Sequence, residues 1–66
     1  MTRETIAKLP EAAQNGIALL RNAYKEGNYA YRENVRNRAE GYTKGLQDAG
    51  IITDMERRVL YIYVTL

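Results

Sequence analysis

The sequence predicts an all-α domain: a helical hairpin followed by a shorter C-terminal third helix, the whole self-associating. Three observations predict it. Apolar residues recur at spacings of three and four in two separate stretches, which is the repeat of an amphipathic helix. Between Leu46 and Glu56 one helix stops and another starts. The one run with strand character, Val59 to Leu66, has no second such run to pair with.

Ile6, Leu9, Ala13, Ile17, Leu20 and Tyr24 form the first stripe, with Gly16 and Ala23 filling it. Pro10 interrupts it near its start. Proline lacks an amide donor and is tolerated in a first turn, so the main helix begins near Leu9. Residues 3–8 are then a short separate turn or the upstream limb of a kink. The stripe keeps its phase across Pro10, which favours the kink. Gly27 and Asn28 follow: glycine closes one helix and asparagine caps the next. Tyr31, Val35, Ala39, Tyr42, Leu46 and Ala49 form the second stripe, on a helix over 29–49 with Glu33, Glu40 and Lys44 facing solvent. A short connection between two long helices predicts an antiparallel hairpin. The alternative is one long helix through Gly27, since glycine inside a helix costs only about 1 kcal/mol relative to alanine.

Gly50 fits the left-handed position just past a helix end, with Ile51 placed to fold back onto Leu46. Thr53 is an N-cap and Glu56, three residues later, completes a capping box. The third element therefore opens as a helix over 54–66, although its β-branched and aromatic composition favours a strand. Helical spacing aligns Ile52, Met55, Val59, Ile62, Tyr63 and Leu66 as the inward face. Leu60, Tyr61 and Val64 then point away from it. A helix apolar nearly all round needs cover on more than one side, and the excess predicts a dimer or a partner groove.

The 66 residues make one small domain, of a size that is marginal without a disulfide, a metal or a partner. The sequence has no Cys and no His, which removes disulfides, thiolate zinc sites and the commonest transition-metal ligand. We expect no cofactor and no metal. Self-association or partner binding remains. The longest apolar run, Val59 to Val64, is too short to cross a bilayer. Arg3, Glu4 and Lys8 leave no apolar core for a signal peptide, so the expected location is the cytoplasm. All six aromatic residues are Tyr, a side chain with one polar end that suits half-wet surfaces as well as the rim of a small core.

Catalysis is not expected. The threonines have no base beside them, and Glu33 and Glu40 sit on the solvent face rather than in a site that would perturb them. Gly41 and Gly45, four apart, allow another helix close approach. That helix is either the first one of the same chain, with Gly16 facing it, or one from a second subunit. Arg32, Arg36 and Arg38, beside Asn34 and Asn37 and interleaved with Tyr29, Tyr31 and Tyr42, have the residue types that read base edges. Lys44 and Arg57 extend that set. Against it, Glu33 and Glu40 share the segment, Arg38 lies on the other flank from Arg32 and Arg36, and the net charge is only +2.

The pattern Gly41-Tyr42-x-x-Gly45-Leu46, Ala49-Gly50-Ile51-Ile52-Thr53 and Glu56-Arg57 resembles the C-terminal halves of short helical accessory proteins of bacteriophages, prophages and plasmids. That resemblance covers about the last 25 residues of the sequence and implies a small factor that binds a host or phage protein. The expected function is a protein-binding module, a regulator or inhibitor. It would act through the surface of residues 59–66, with Leu60, Tyr61, Val64 and Leu66 as contacts, and through the Gly41–Gly45 flank. The alternatives are a nucleic-acid binder using Arg32, Arg36, Arg38, Lys44 and Arg57, and a purely structural homo-oligomer.

Overall fold

The ring of Pro10 disfavours helical backbone at Leu9, the residue before it. The first stripe is therefore cut. A computed structural model describes residues 1–66 as four helices, α1 (Thr2–Ala7), α2 (Glu11–Glu26), α3 (Tyr29–Asp48) and α4 (Asp54–Thr65), with no strand. The fold is all-α, with one helix more than expected. Thr2–Ala7 is a helix of its own and not the upstream limb of a kink. Pro10 is the N-cap of α2, and its carbonyl accepts from the amides of Ala13 (2.9 Å) and Gln14 (3.0 Å). The Gln14 side chain reaches back across the break and donates to the Leu9 carbonyl at 2.9 Å.

Gly27 and Asn28 separate α2 from α3. The Gly27 backbone is extended (φ −82°, ψ 155°), so conformation does not require glycine there. Space does: a β-carbon would stand 3.2 Å from Tyr31 Cβ and 3.1 Å from the Ala23 carbonyl oxygen. Asn28 Oδ1 accepts from the Tyr31 amide at 2.9 Å and caps α3. The two helices lie side by side in opposite directions. Tyr24, late in α2, meets Arg32 and Arg36, early in α3, while Gly16 meets Tyr42. The twenty residues of α3, about 30 Å of helix, set the 32 Å long axis of the molecule.

Gly50 ends the third helix at φ 77°, the one positive φ in the chain. Its amide donates to the Gln47 carbonyl (2.9 Å) and the Ile51 amide donates to the Leu46 carbonyl (3.0 Å). These are the two bonds of a Schellman stop. Thr53 then opens α4: its hydroxyl accepts from the Glu56 amide at 3.1 Å and its own amide donates to Glu56 Oε1 at 2.9 Å. The local hydrogen bonds decide the conflict between cap and composition, and the β-branched run is helical.

The core is Leu9, then Ala13, Ile17 and Leu20 from α2, Val35 and Ala39 from α3, and Ile52, Leu60 and Val64 from the α4 unit. Of the expected inward face of α4, Ile52 is in the core and Tyr63 packs against it, but the helix is turned so that its centre is Leu60 and Val64. Leu60 and Val64 are fully buried, whereas Met55 (59% exposed), Ile62 (58%) and Leu66 (81%) face outward. Both sides of this helix are apolar, so periodicity alone could not choose between them. The choice follows from the capping box, because Ile52, Glu56, Leu60 and Val64 recur every four residues and the turn carries Ile52 into the core. Thr5 and Thr43 are also buried. Each hydroxyl donates to the carbonyl four residues back, Met1 and Ala39, both at 2.8 Å, which frees the methyl group to pack.

Leu60→Ala is expected to cost about 2–5 kcal/mol of folding stability, and Ile62→Ala less than about 0.5 kcal/mol. Urea titrations followed by circular dichroism measure both, and the expected inward face of the sequence would give the reverse order.

Candidate protein-binding surfaces

Of the residues predicted to contact a partner, Leu60 and Val64 lie in the core, Tyr61 is half-buried against it and Leu66 is exposed. Sequence reasoning missed Met55 and Ile62. With half-buried Val59 and exposed Leu66 they form an outer strip on α4, at spacings of four, three and four. This strip lies on the side of α4 turned away from Leu60 and Val64.

A groove of about 400 Å³ runs between α2 and α3, lined by Gly16, Leu19, Leu20, Ala23, Tyr31, Arg38 and Tyr42. Leu19 is 70% exposed in it. The Tyr42 ring lies over Gly16, where a β-carbon would stand 2.7 Å from Cζ, and the Tyr31 ring lies over Gly27. Two glycines of α2 and its C-cap thus seat two tyrosines of α3. On the other side of the α2–α3 pair lies α4: Arg21 of α2 donates to the Tyr63 carbonyl, and Arg57 donates to Gln47 of α3 at 2.8 Å.

Gly41 and Gly45 do not cross α2. Nothing lies within 4 Å of a β-carbon built at either position, and both are exposed on α3. The expectation that they pack against the first helix with Gly16 facing them is corrected: Gly16 faces the Tyr42 ring. Polar and apolar positions alternate around α3 so that Arg38, Gly41 and Gly45, at spacings of three and four, share the flank beside the groove.

The basic residues do not gather into one patch. Arg32 Nε donates to the Tyr24 carbonyl (2.8 Å) and its Nη2 to the Lys25 carbonyl (3.3 Å), capping the end of α2 from the next helix. Positive charge is favourable at that end, where carbonyls lack helical partners. Arg21 serves α4 in the same way, stacking on the Tyr63 ring at 4.2 Å. Arg36 bridges Glu33 (2.9 Å) and the Tyr24 hydroxyl (3.1 Å), and that hydroxyl raises its pKa. Arg57 holds Gln47 and, at 3.0 Å, Asp54. Lys44 sits in a polar depression with Glu40, Asp48 and Asp54. Arg38, at the groove, makes no hydrogen bond or ion pair within the chain.

Glu56 joins two parts of the fold. The Lys8 ammonium, donating to Oε1 at 2.7 Å, and the Thr53 amide hold its carboxyl below the ordinary value of 4.5. Lys8 is the C-cap of α1, so this contact ties the start of α4 to the first helix. Arg57, with Arg58, lowers Asp54 likewise. No group of three or more His, Cys, Asp or Glu side chains is placed to hold a metal ion. No helix is long and apolar enough to cross a membrane. No family model, curated protein or solved structure matches the chain.

The carboxyl of Glu56 is depressed in the folded state, so its contribution to stability is full above the unfolded pKa and is lost as pH falls through the folded one. Urea midpoints are expected to decline as the pH drops below 4.5, and Glu56→Gln is expected to flatten that decline. An unchanged pH profile in the variant would remove Glu56 from this role. Arg32→Ala is expected to cost about 0.5–1.5 kcal/mol through the hydrogen bonds it removes from the end of α2. Arg38→Ala should stay within about 0.5 kcal/mol, with thermal melts of both variants as the measurement.

Proposed function

We propose that this chain is a small non-enzymatic protein-binding module that regulates or inhibits a larger protein. The observation that carries the reading is the outer strip of α4. Met55, Ile62 and Leu66 are not part of the core, yet they stand in line on a helix that packs against all three others. Scattered exposed apolar residues are ordinary, whereas an aligned set on one helix face is what a partner buries. Fully burying one such side chain contributes about 1.5–3 kcal/mol. The resemblance of residues 41–57 to small phage and plasmid accessory proteins supports the same reading. The partner contacts of the proposal are Met55, Ile62 and Leu66, with Tyr61 and the Gly41–Gly45 flank at their margins.

Nucleic-acid binding has less support. Arg32, Arg36 and Arg57 already donate inside the protein, and Lys44 shares its depression with Glu40, Asp48 and Asp54, carboxylates that oppose phosphate. That leaves Arg38 and Lys44 as the two members of the set that make no hydrogen bond or ion pair within the chain. Self-association is the second reading, favoured by the same strip.

The chain immobilised and exposed to nuclease-treated bacterial lysate is expected to retain one protein in stoichiometric amount, and Ile62→Asp is expected to lose it with helix content unchanged. Retention that survives Ile62→Asp, or that requires nucleic acid and disappears with nuclease, would overturn the reading.

A further inference from the structure

The first helix is joined to the fold by few bonds, and the helices beside it are complete without it. It packs chiefly on α4. Apart from the turn that leads into Leu9, two hydrogen bonds tie it to the rest. Lys8 Nζ donates to Glu56 Oε1 at 2.7 Å, and the Ala7 carbonyl accepts from Gln14 at 3.5 Å, a long and weak contact. Leu9, one residue further on, is anchored: it lies in the core and its carbonyl accepts from Gln14 at 2.9 Å. We infer that α1 is a latched strap, which swings off α4 as one unit about the turn at Lys8 while α2, α3 and α4 stay folded, with the Lys8–Glu56 ion pair as its latch.

The ends of the neighbouring helices permit this. The Pro10 carbonyl takes the Ala13 and Gln14 amides, so α2 starts without help from α1. The Thr53–Glu56 box closes the start of α4 on itself, and it stays closed when Lys8 leaves. Arg21 of α2 stacks on the Tyr63 ring at 4.2 Å and donates to the Tyr63 carbonyl, which keeps α4 on α2. Proline prevents α1 from continuing as the first turn of α2, so the two can move separately.

The hold on α1 itself is slight. Its N-cap makes no side-chain hydrogen bond. The pair between Glu4 and the Met1 ammonium, at 2.6 Å, lies wholly within the segment and ties it to nothing else. Thr5 is buried and Ile6 half-buried against the core, and the latch adds to these. The seam with α4 is open at one end, where Thr2, Arg3, Ile6, Ala7 and Tyr63 line a depression of about 560 Å³. A segment with few buried apolar contacts opens at lower free energy than the core around it. No residue of α1 belongs to the partner contacts proposed above, so the inference stands apart from that reading.

Amide hydrogen exchange of the full chain, followed by NMR at several low urea concentrations and corrected for intrinsic rates, tests it. The Thr5 and Lys8 amides, bonded to the Met1 and Glu4 carbonyls, report on α1. They are expected to share one opening constant and to exchange at least about tenfold faster than the Leu60 and Val64 amides. Urea is expected to leave their rates nearly unchanged while it speeds Leu60 and Val64, because the strap exposes little surface when it opens. Lys8→Met removes the charge and keeps the apolar stem. It is expected to speed exchange at Thr5 by about two- to fivefold, with Leu60 and Val64 unaffected. Lys8→Glu, which sets a like charge against Glu56, is expected to do so by more. Thr5 and Lys8 amides that follow the urea dependence of Leu60 and Val64 overturn the inference, since α1 then opens only with the whole fold. A gradient with Thr5 much faster than Lys8 overturns it as well, since that is fraying from the end and not a unit. Exchange at Thr5 that neither variant changes, or that changes equally at Leu60, removes the latch.

Discussion

Burial of Leu60 and Val64 among the other helices is the constraint on which the rest of the structure depends. The last helix packs against each of the other three, and it is the main neighbour of the first. Remove it and the α2–α3 pair has an uncovered apolar side, while the short first helix, six residues long, loses its main support. Six residues are too few to form a stable isolated helix. The first helix exists because the α4 surface receives it and because Lys8 reaches Glu56. Glu56 is therefore more than a cap. It fixes where α4 begins and couples that start to a segment 48 residues away in sequence.

The charged residues follow from the same economy of size. A short chain has many helix ends per residue, and each end leaves carbonyls or amides without helical partners. The third helix solves this locally with Gly50, but the second ends in an extended Gly27 that makes no such bonds. Its last carbonyls are met by Arg32 from the following helix, and a carbonyl near the end of α4 by Arg21. Arginine suits this task because its fork can bond carbonyls while its plane lies over an aromatic ring, as both do on Tyr63 and Tyr24. A cluster of arginines that reads in sequence as a nucleic-acid surface is, for the most part, internal scaffolding.

What the sequence made legible and what it left hidden divide along the range of the interactions. The stop at Gly50, the cap at Asn28 and the Thr53–Glu56 box each close within a few residues, and each stands where the sequence places it. Thr43 was hidden because its polarity masks a buried position until the hydroxyl is seen bonded to Ala39. Gly16 was hidden because its partner is a ring on another helix. The orientation of α4 was hidden most of all. Its two faces are equally apolar, so the excess was readable while its side was not: Leu60 and Val64 were exchanged for Met55 and Ile62 as the exposed set. The arginine caps left one trace, a helix ending in glycine with no left-handed turn, but that geometry appears only in the fold.

The outer strip has no explanation within a single chain. Polar side chains at 55, 62 and 66 would leave the core untouched, since none of the three belongs to it. They would also lower the apolar exposure of a 66-residue protein that has little buried surface to hold it together. The groove presents the complementary excess: Leu19 stands in water between two tyrosines held in place by glycine seats. The monomer uses neither surface, so the chain keeps two exposed apolar faces beyond those its core requires.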